Sequence, residues 1–365
     1  MTSEQTELAK LRERIDQIDR QLLALICERA KCAQNVAEVK MRGNAGQDVV
    51  FYRPEREAQV LRKIMDDNPG PLSDEEVARL FREVMSACLA LEAPLHIAFL
   101  GPEGAFTHAA ALKHFGHSGV CLPHYAIDEV FREVEAGSAH YGVVPVETSN
   151  EGVISHTLDV FVNSPLLICG EVEVRTHHFL IAPEQVDAGD IKVVYSLAQS
   201  FSLCRQWLDE KWPGVERIAV PSHADAVKRA SERQDAAAVA GEHCARLYGM
   251  KVLAKNIEDH PDQIARYLII GKNSAPPSGD DKTSLMVTIR DEPGALYKML
   301  GVFHRQNLSL TRIDSRPALS GARRYHFFVD FIGHKDLPEV GAAIQELSRD
   351  ALDVRCLGSY PKGVL

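Results

Sequence analysis

The chain has 365 residues, 45% hydrophobic and 25% charged, which leaves room for two or three globular units and excludes a disordered chain. Its formal charge of −10 argues against general binding to nucleic acid or to an anionic membrane. No apolar run approaches the roughly 18–20 residues of a membrane span, and Met1 to Lys10 is polar rather than signal-like, so a cytoplasmic protein is expected.

Residues 5–42 read as one helix. Leu8, Leu11, Ile15, Ile18, Leu22, Leu25 and Ile26 recur at three- and four-residue steps, no proline interrupts them, and Gly43-Asn44 is a stop. A second helix is expected from Pro54 to Asp67. The breaker Asn68-Pro69-Gly70-Pro71 then leads to a capping box at Ser73-Asp74-Glu75-Glu76 and a third helix to about Glu92. So long a helix gives the unit little core of its own, and a homodimer or higher assembly is expected. Arg29 and Lys40 lie about three turns apart and project from nearly one face, whereas Arg12 lies about 100° round the axis, free to serve a neighbouring subunit. The second helix adds Arg56 and Glu57. By spacing alone a solvated charged face accounts for these residues as well as a site does.

Composition changes at Ala93-Pro94. The strand-like runs His96–Leu100, Tyr141–Val146, 192–195, Ala236–Ala240 and 267–270 alternate with helical ones such as Thr107–Phe115, the pattern of an α/β unit with parallel strands. Gly101-Pro102-Glu103-Gly104-Ala105-Phe106-Thr107 is a glycine loop entering a helix, able to hold an anion on its backbone amides or simply to turn. It is not G-x-G-x-x-G, so a dinucleotide is not supported. The Pro/Ser/Gly-rich segment 273–282 reads as a linker, and the order β-α-β-β-α-β that follows matches a ferredoxin-like sandwich.

Leu11-Arg12-Glu13-Arg14-Ile15-Asp16, Leu22 to Arg29, Val39-Lys40 and Arg53-Pro54-Glu55-Arg56-Glu57 closely resemble the helical chorismate mutases, which form intertwined dimers. The resemblance implies that Arg12 of a partner and Arg29 clamp the two carboxylates of chorismate. Lys40 would face its ether oxygen, and Arg56 and Glu57 its ring carboxylate and hydroxyl. Where the third helix usually offers a hydroxyl and then a glutamine, this chain has Cys88 and Glu92, with Ser86 nearby as partial compensation, and Arg53 stands where an acid is common. Glu92 donates to an ether oxygen only when protonated, so mutase activity declining with rising pH, or a raised Glu92 pKa, is expected.

Val143 to Gly152 is similar to the P-[IV]-E-N-S-x-x-G segment of prephenate dehydratases. Tyr195-Ser196-Leu197-Ala198-Gln199 is similar to their Y-S-H-P-Q, and Ala265-Arg266-Tyr267 to their T-R-F. That resemblance implies two α/β lobes around a cleft, like periplasmic binding proteins, holding prephenate. Ala265 replaces the threonine that would assist departure of the ring hydroxyl. Thr107, Glu147, Thr148, Ser149 and Ser196 remain as hydroxyl or carboxyl candidates beside Gln199, and Arg266 as a carboxylate anchor. Three readings stay open: a dehydratase with a shifted proton donor, a non-aromatising prephenate decarboxylase, and a domain that only binds, as in an amino-acid sensor.

Asp291-Glu292-Pro293-Gly294-Ala295-Leu296 and Thr311-Arg312-Ile313-Asp314-Ser315-Arg316-Pro317 resemble the G-A-L and E-S-R-P motifs of ACT regulatory domains of phenylalanine biosynthesis. This places an effector, expected to be inhibitory phenylalanine, at Gly294, Ala295, Leu296, Asp314, Ser315, Arg316 and Pro317.

Taken together the chain resembles the bifunctional chorismate mutase/prephenate dehydratases. The organisation implied is a multidomain chain: an all-α mutase over 1–92, a two-lobed α/β domain over 95–272, a linker over 273–282 and an α+β ferredoxin-like ACT domain over 283–361. No cofactor is implied. The eight cysteines form no C-x-x-C pair and are expected as free thiols. His177-His178 lacks further ligands at metal spacing and, like Trp207, reads as packing.

Overall fold

The computed structural model describes residues 3–43, 51–149, 152–318 and 324–364. Asn44 of the expected stop and Asn150 and Glu151 of the dehydratase-like segment lie outside them. The first unit is three helices, α1 (Ser3–Gly43), α2 (Pro54–Asp66) and α3 (Asp74–Ala90). Pro54 occupies the first turn of α2, where its missing N–H costs nothing, and the Ser73 side chain accepts from the Glu76 amide to cap α3. Only the C-terminal part of α1 is covered by its own chain. Leu8, Leu11, Ile15, Ile18, Leu22, Leu25 and Ile26, whose spacing marks the helix, are all exposed.

The next unit is two-lobed. Its chain order is β1 (His96–Leu100), α4 (Phe106–Phe115), β2 (Val120–His124), α5 (Ile127–Ala136), β3 (Tyr141–Thr148), β4 (Gly152–Val153), α6 (Ser155–Asn163) and β5 (Leu167–Arg175) in the first lobe. The second lobe follows with β6 (Phe179–Ala182), β7 (Val193–Ser196), α7 (Ala198–Leu203), α8 (Arg205–Lys211), β8 (Glu216–Ala219), α9 (His223–Ser231), β9 (Ala236–Ala240), α10 (Glu242–Leu247) and β10 (Lys251–Ala254). The chain then returns to the first lobe as β11 (Ile264–Gly271). The sheets run β2-β1-β3-β11-β5, with β4 on β3, and β10-β6-β9-β7-β8. Both are mixed rather than parallel. β11 is antiparallel to β3 and β5 because it enters its lobe from the other one, and β6 is antiparallel to β9 and β10. The carboxyl ends of β1 and β3 therefore share an edge with the start of β11, the edge where ligands of open α/β sheets bind.

The last unit is β12 (Asp281–Arg290), α11 (Ala295–Arg305), β13 (Leu310–Pro317), β14 (Arg324–Ile332), α12 (Pro338–Asp350) and β15 (Asp353–Pro361), with strand order β13-β14-β12-β15 and two helices on one face. The segment expected as a linker is tied down. Cys169 Sγ donates to the Asn273 carbonyl, His334 meets the Ala275 carbonyl at 2.9 Å, and Ser278 binds Asp281 at 2.6 Å. Arg62 of α2 reaches the same segment, bonding Ser278 Oγ at 3.0 Å, the Asp280 carbonyl at 2.8 Å and the Lys362 carbonyl at 3.3 Å.

β15 of the third unit lies backbone to backbone against β5 of the first lobe at Gly358. A β-carbon there would overlap the Ile168 carbonyl oxygen and stand 2.9 Å from its carbonyl carbon and its nitrogen. Neither strand can yield alone, so Gly358→Ala is expected to destabilise the chain by about 1–3 kcal/mol, read as a lower urea midpoint.

Candidate active sites

In the helical unit Arg29 and Lys40 are half-buried on α1, and their charges act on Glu92, just beyond α3. Burial raises the Glu92 pKa above the ordinary carboxylate range, with Lys40 and Arg29 drawing it down. Its Oε2 is buried with no hydrogen-bond partner among the described residues. Lys40 is held by the Phe51 carbonyl at 3.5 Å and lies 5.6 Å from the Phe51 ring centroid. Cys88, one turn before Glu92, is buried. Arg56 is exposed on the first turn of α2, and Arg12 is exposed roughly 25 Å along α1 from Arg29, too far to share a single-chain site.

Two expectations are corrected. Glu57 does not join this group: it is paired with the buried Arg82 at 3.2 Å, and Arg82 also donates to the Lys113 carbonyl at 2.7 Å, which docks the helices on the first lobe. Ser86 likewise turns to that lobe and accepts from the Ser118 amide. Arg82 was missed because it stands 25 residues from Glu57 and its partner carbonyl is in another unit.

A cavity of about 750 Å³ opens where the lobes meet, lined by Gly104, Phe106, Gly241 and His243, and it extends along β5 to α3 and to Lys282 and Lys362 of the third unit. Thr107 and Ala265 are not among its lining residues; their chain neighbours Phe106 and Ile264 are. Ala265 is buried and pairs with Thr148 across β11 and β3, so the two side chains are neighbours roughly 5 Å apart. Thr107 hydrogen-bonds Tyr267, two residues along the strand from Ala265. Thr148 therefore stands beside the position where a hydroxyl is missing, whereas Thr107 bonds a residue further along the same strand.

The remaining residues expected here are engaged elsewhere. Ser149 spends its hydroxyl on the Ile264 backbone at 3.0 Å. Ser196 is fully buried and donates to the Val239 carbonyl at 2.7 Å, and Gln199 is exposed on the first turn of α7. Arg266, expected to anchor a substrate carboxylate, faces the third unit instead. It bonds Glu171 at 2.8 Å, Asp330 at 2.7 Å and the Tyr360 hydroxyl at 3.1 Å, and is 8% exposed. Burial works against its charge, but Tyr360, Asp330 and Glu171 more than offset this and raise its pKa. Glu147 is its register partner across the ladder. It turns the same way, as direct cross-strand partners do, to Arg312 at 3.7 Å.

In the third unit Gly294 takes a left-handed conformation (φ 83°) before α11, and Leu296 is exposed. Along β13 the side chains alternate. Arg312, Asp314 and Arg316 are half-buried, whereas Ile313, Ser315 and Pro317 are exposed. Arg316 makes a two-point ion pair with Asp159 of α6 at 2.9 and 2.8 Å, so it joins units rather than standing open to an effector. Arg312 lies within 4 Å of Glu147, Asp314 and Asp330. A cavity of about 530 Å³ near Ala295 runs between α11 and α12 and includes no residue of β13. His177 pairs with Glu258 at 2.6 Å, no metal-competent cluster occurs among the described residues, and Trp207 packs on Trp212.

A cation-rich helical half-site, a two-lobed cleft and a ferredoxin-like module pinned behind it define a two-site enzyme for small carboxylates with a regulatory unit. Family models match in that order: chorismate mutase type II over residues 11–93, prephenate dehydratase over 97–275 and the ACT domain over 283–349. The Pseudomonas aeruginosa bifunctional chorismate mutase/prephenate dehydratase is 53% identical over the whole of both chains, and that of Neisseria gonorrhoeae 44% identical over 97% of each. The crystal structure of prephenate dehydratase in complex with L-Phe from Arthrobacter aurescens is 32% identical, covering 73% of this chain and 90% of that one at a TM-score of 0.67. The chain belongs to the bifunctional chorismate mutase/prephenate dehydratase family.

Replacing Arg266 strands buried carboxylates on both sides of the module seam. Arg266→Met is expected to lower unfolding free energy by about 3–5 kcal/mol in urea titrations, and Arg266→Met with Asp330→Asn by less than the two single changes summed.

Proposed function

We propose that the chain rearranges chorismate to prephenate on its helices and converts prephenate to phenylpyruvate between its lobes, under feedback through the third unit. What carries this reading is the convergence of Arg29 and Lys40 on Glu92 within a chain that its bifunctional relatives match from end to end. The first reaction is a [3,3] rearrangement and needs no nucleophile. The protein has only to hold a folded dianion and stabilise the negative charge that grows on the breaking ether oxygen. Arg29 suits a carboxylate, and Lys40 and a protonated Glu92 suit the ether oxygen. Arg12 of a second copy completes the clamp. The exposed stripe on α1 supports that partner, since an apolar face of this length is covered in a stable assembly. Arg56 serves the ring carboxylate, and Cys88 lines the site without donating strongly.

The second reaction expels carbon dioxide and the ring hydroxyl and yields an aromatic ring. The carboxylate leaves its bonding electrons to the ring, and the departing hydroxyl needs a proton. Thr148, the cross-strand neighbour of Ala265, supplies it, with Thr107 beside it. Phenylalanine, held by the Arthrobacter aurescens relative in its crystal structure, is the effector. It binds at Gly294, Ala295 and Leu296 of one copy, with Ser315 and Pro317 on the outer face of β13 completing the pocket.

Two measurements test this. With chorismate as substrate, mutase kcat/KM is expected to fall as pH rises through the Glu92 pKa, because only the protonated acid donates. Glu92→Gln is expected to flatten that profile, and a flat wild-type profile over about pH 5 to 9 removes Glu92 from the mechanism. With prephenate, phenylpyruvate formation is expected to rise about 10²-fold in Ala265→Thr and to fall by a similar factor in Thr148→Val. Prephenate consumed without an aromatic product would instead mark a non-aromatising decarboxylase, and prephenate accumulating from chorismate would leave the mutase alone.

A further inference from the structure

The two lobes meet along a seam that the chemistry above does not use. Gly104, in the glycine loop of the first lobe, nests against α10 of the second. A β-carbon at Gly104 would stand 3.0 Å from Cys244 Sγ, 3.5 Å from the Tyr248 ring and 3.6 Å from Leu247, and the backbone there is left-handed (φ 88°). Phe106 enters the second lobe edge-on to His178 and His223, with centroids 5.5 and 5.2 Å away, and touches Gly241. Two residues on, His108 is buried and stacks on Phe99 at 4.7 Å. Its Nδ1 accepts the Gly104 amide at 3.1 Å and faces Nε2 of His243, on α10, also at 3.1 Å.

The hydrogen bonds determine the protons. A backbone amide can only donate, so Nδ1 of His108 is an acceptor and its ring proton is on Nε2. His243 Nε2 can then only donate, sharing the one lone pair of Nδ1 with the Gly104 amide. Burial, with the neighbouring charges of His243 and His117, pushes the His108 pKa down to about 4, and burial lowers that of His243, so both rings are neutral near pH 7.

We propose that His243 and His108 form a latch across the lobes that holds residues 104–108, and with them Thr107, in the geometry the prephenate reaction needs. Both act as positioning residues through 104–108. His243 also borders the interlobe cavity, so hydrogen–deuterium exchange over that segment, which a substrate contact would not move, is what reads the latch. The inference rests on the reading that prephenate binds between the lobes. It adds that the placement of Thr107 is set from the opposite lobe, through a single N–H···N bond. A misplacement of about 1 Å at a reacting group costs on the order of 10²-fold in rate.

The test uses the full chain with His243→Leu, which removes the donor, and His243→Gln, which keeps one. Hydrogen–deuterium exchange of the peptide covering 101–108 is expected to quicken in His243→Leu and return to the wild-type rate in His243→Gln. Dehydratase kcat/KM is expected to fall about 10²-fold in the first variant and recover to within a fewfold in the second, with chorismate turnover unchanged in both. Unchanged exchange in His243→Leu overturns the latch. So does a His243→Gln variant as impaired as His243→Leu, which would assign the effect to ring packing. If the wild-type chain leaves prephenate untouched, the reading of the second site fails, and exchange over 101–108 alone still decides whether the latch exists.

Discussion

A single buried guanidinium holds the catalytic and regulatory parts of this chain in one register. Arg266 takes acceptors from β5, β14 and β15, and Glu171 is shared with Lys282 at 2.8 Å. Charges at this depth are tolerable only while every partner is in place, because removing one leaves the others desolvated and unmatched. Asp330 reflects this balance. Burial alone would raise its pKa, but Arg266 and Arg312 beside it bring it below the ordinary carboxylate range. The cluster is one residue from Ala265, so β11 of the first lobe and the sheet of the third unit share a rigid joint.

That joint also sets the strand that resembles the effector motif against the dehydratase-like segment. Arg312 belongs to the strand resembling the effector motif, yet it lies within 4 Å of Glu147, from the dehydratase-like segment, as well as of Asp314 and Asp330. Its Nε and Nη2 are buried without a hydrogen-bond partner among the described residues. A cation nearly equidistant from three carboxylates, with donors unspent, can favour one acid over another at small cost, the kind of element that two states of an effector site can bias.

The parts of this architecture legible in the sequence are those governed by local periodicity. The stripe on α1, the proline and serine at the helix starts and the β-α-β-β-α-β order of the third unit all follow from spacings of two to four residues. β5 and β6 were not placed, nor was the direction of β11, which depends on the path through the second lobe. In the helical unit, spacing alone puts Arg29 and Lys40 on nearly one face, and it is the resemblance to chorismate mutases that reads that face as a site. Arg266, Glu147 and Glu57 were misplaced for one reason. Each is the right type at a motif position, but its partner is remote in sequence, from another unit for Arg266 and Glu147 and from the next helix for Glu57, which a linear reading cannot bring near. His108 and His243 stand 135 residues apart and carry no motif.

The strap over 273–282 has a consequence for any attempt to take the chain apart. Its composition invites cutting, lengthening or tagging, since proline, serine and glycine usually mark ground where insertions are harmless. Here that composition misleads. Ala275, Ser278 and Asp281 are buried, and Arg62 bolts the helical unit to the strap and to the Lys362 carbonyl at the far end of the third unit. All three modules thus share one fastening, and an inserted residue there would loosen three seams at once. Sites suited to a label or a fusion are the exposed outer turns, not the stretch that looks most like a tether.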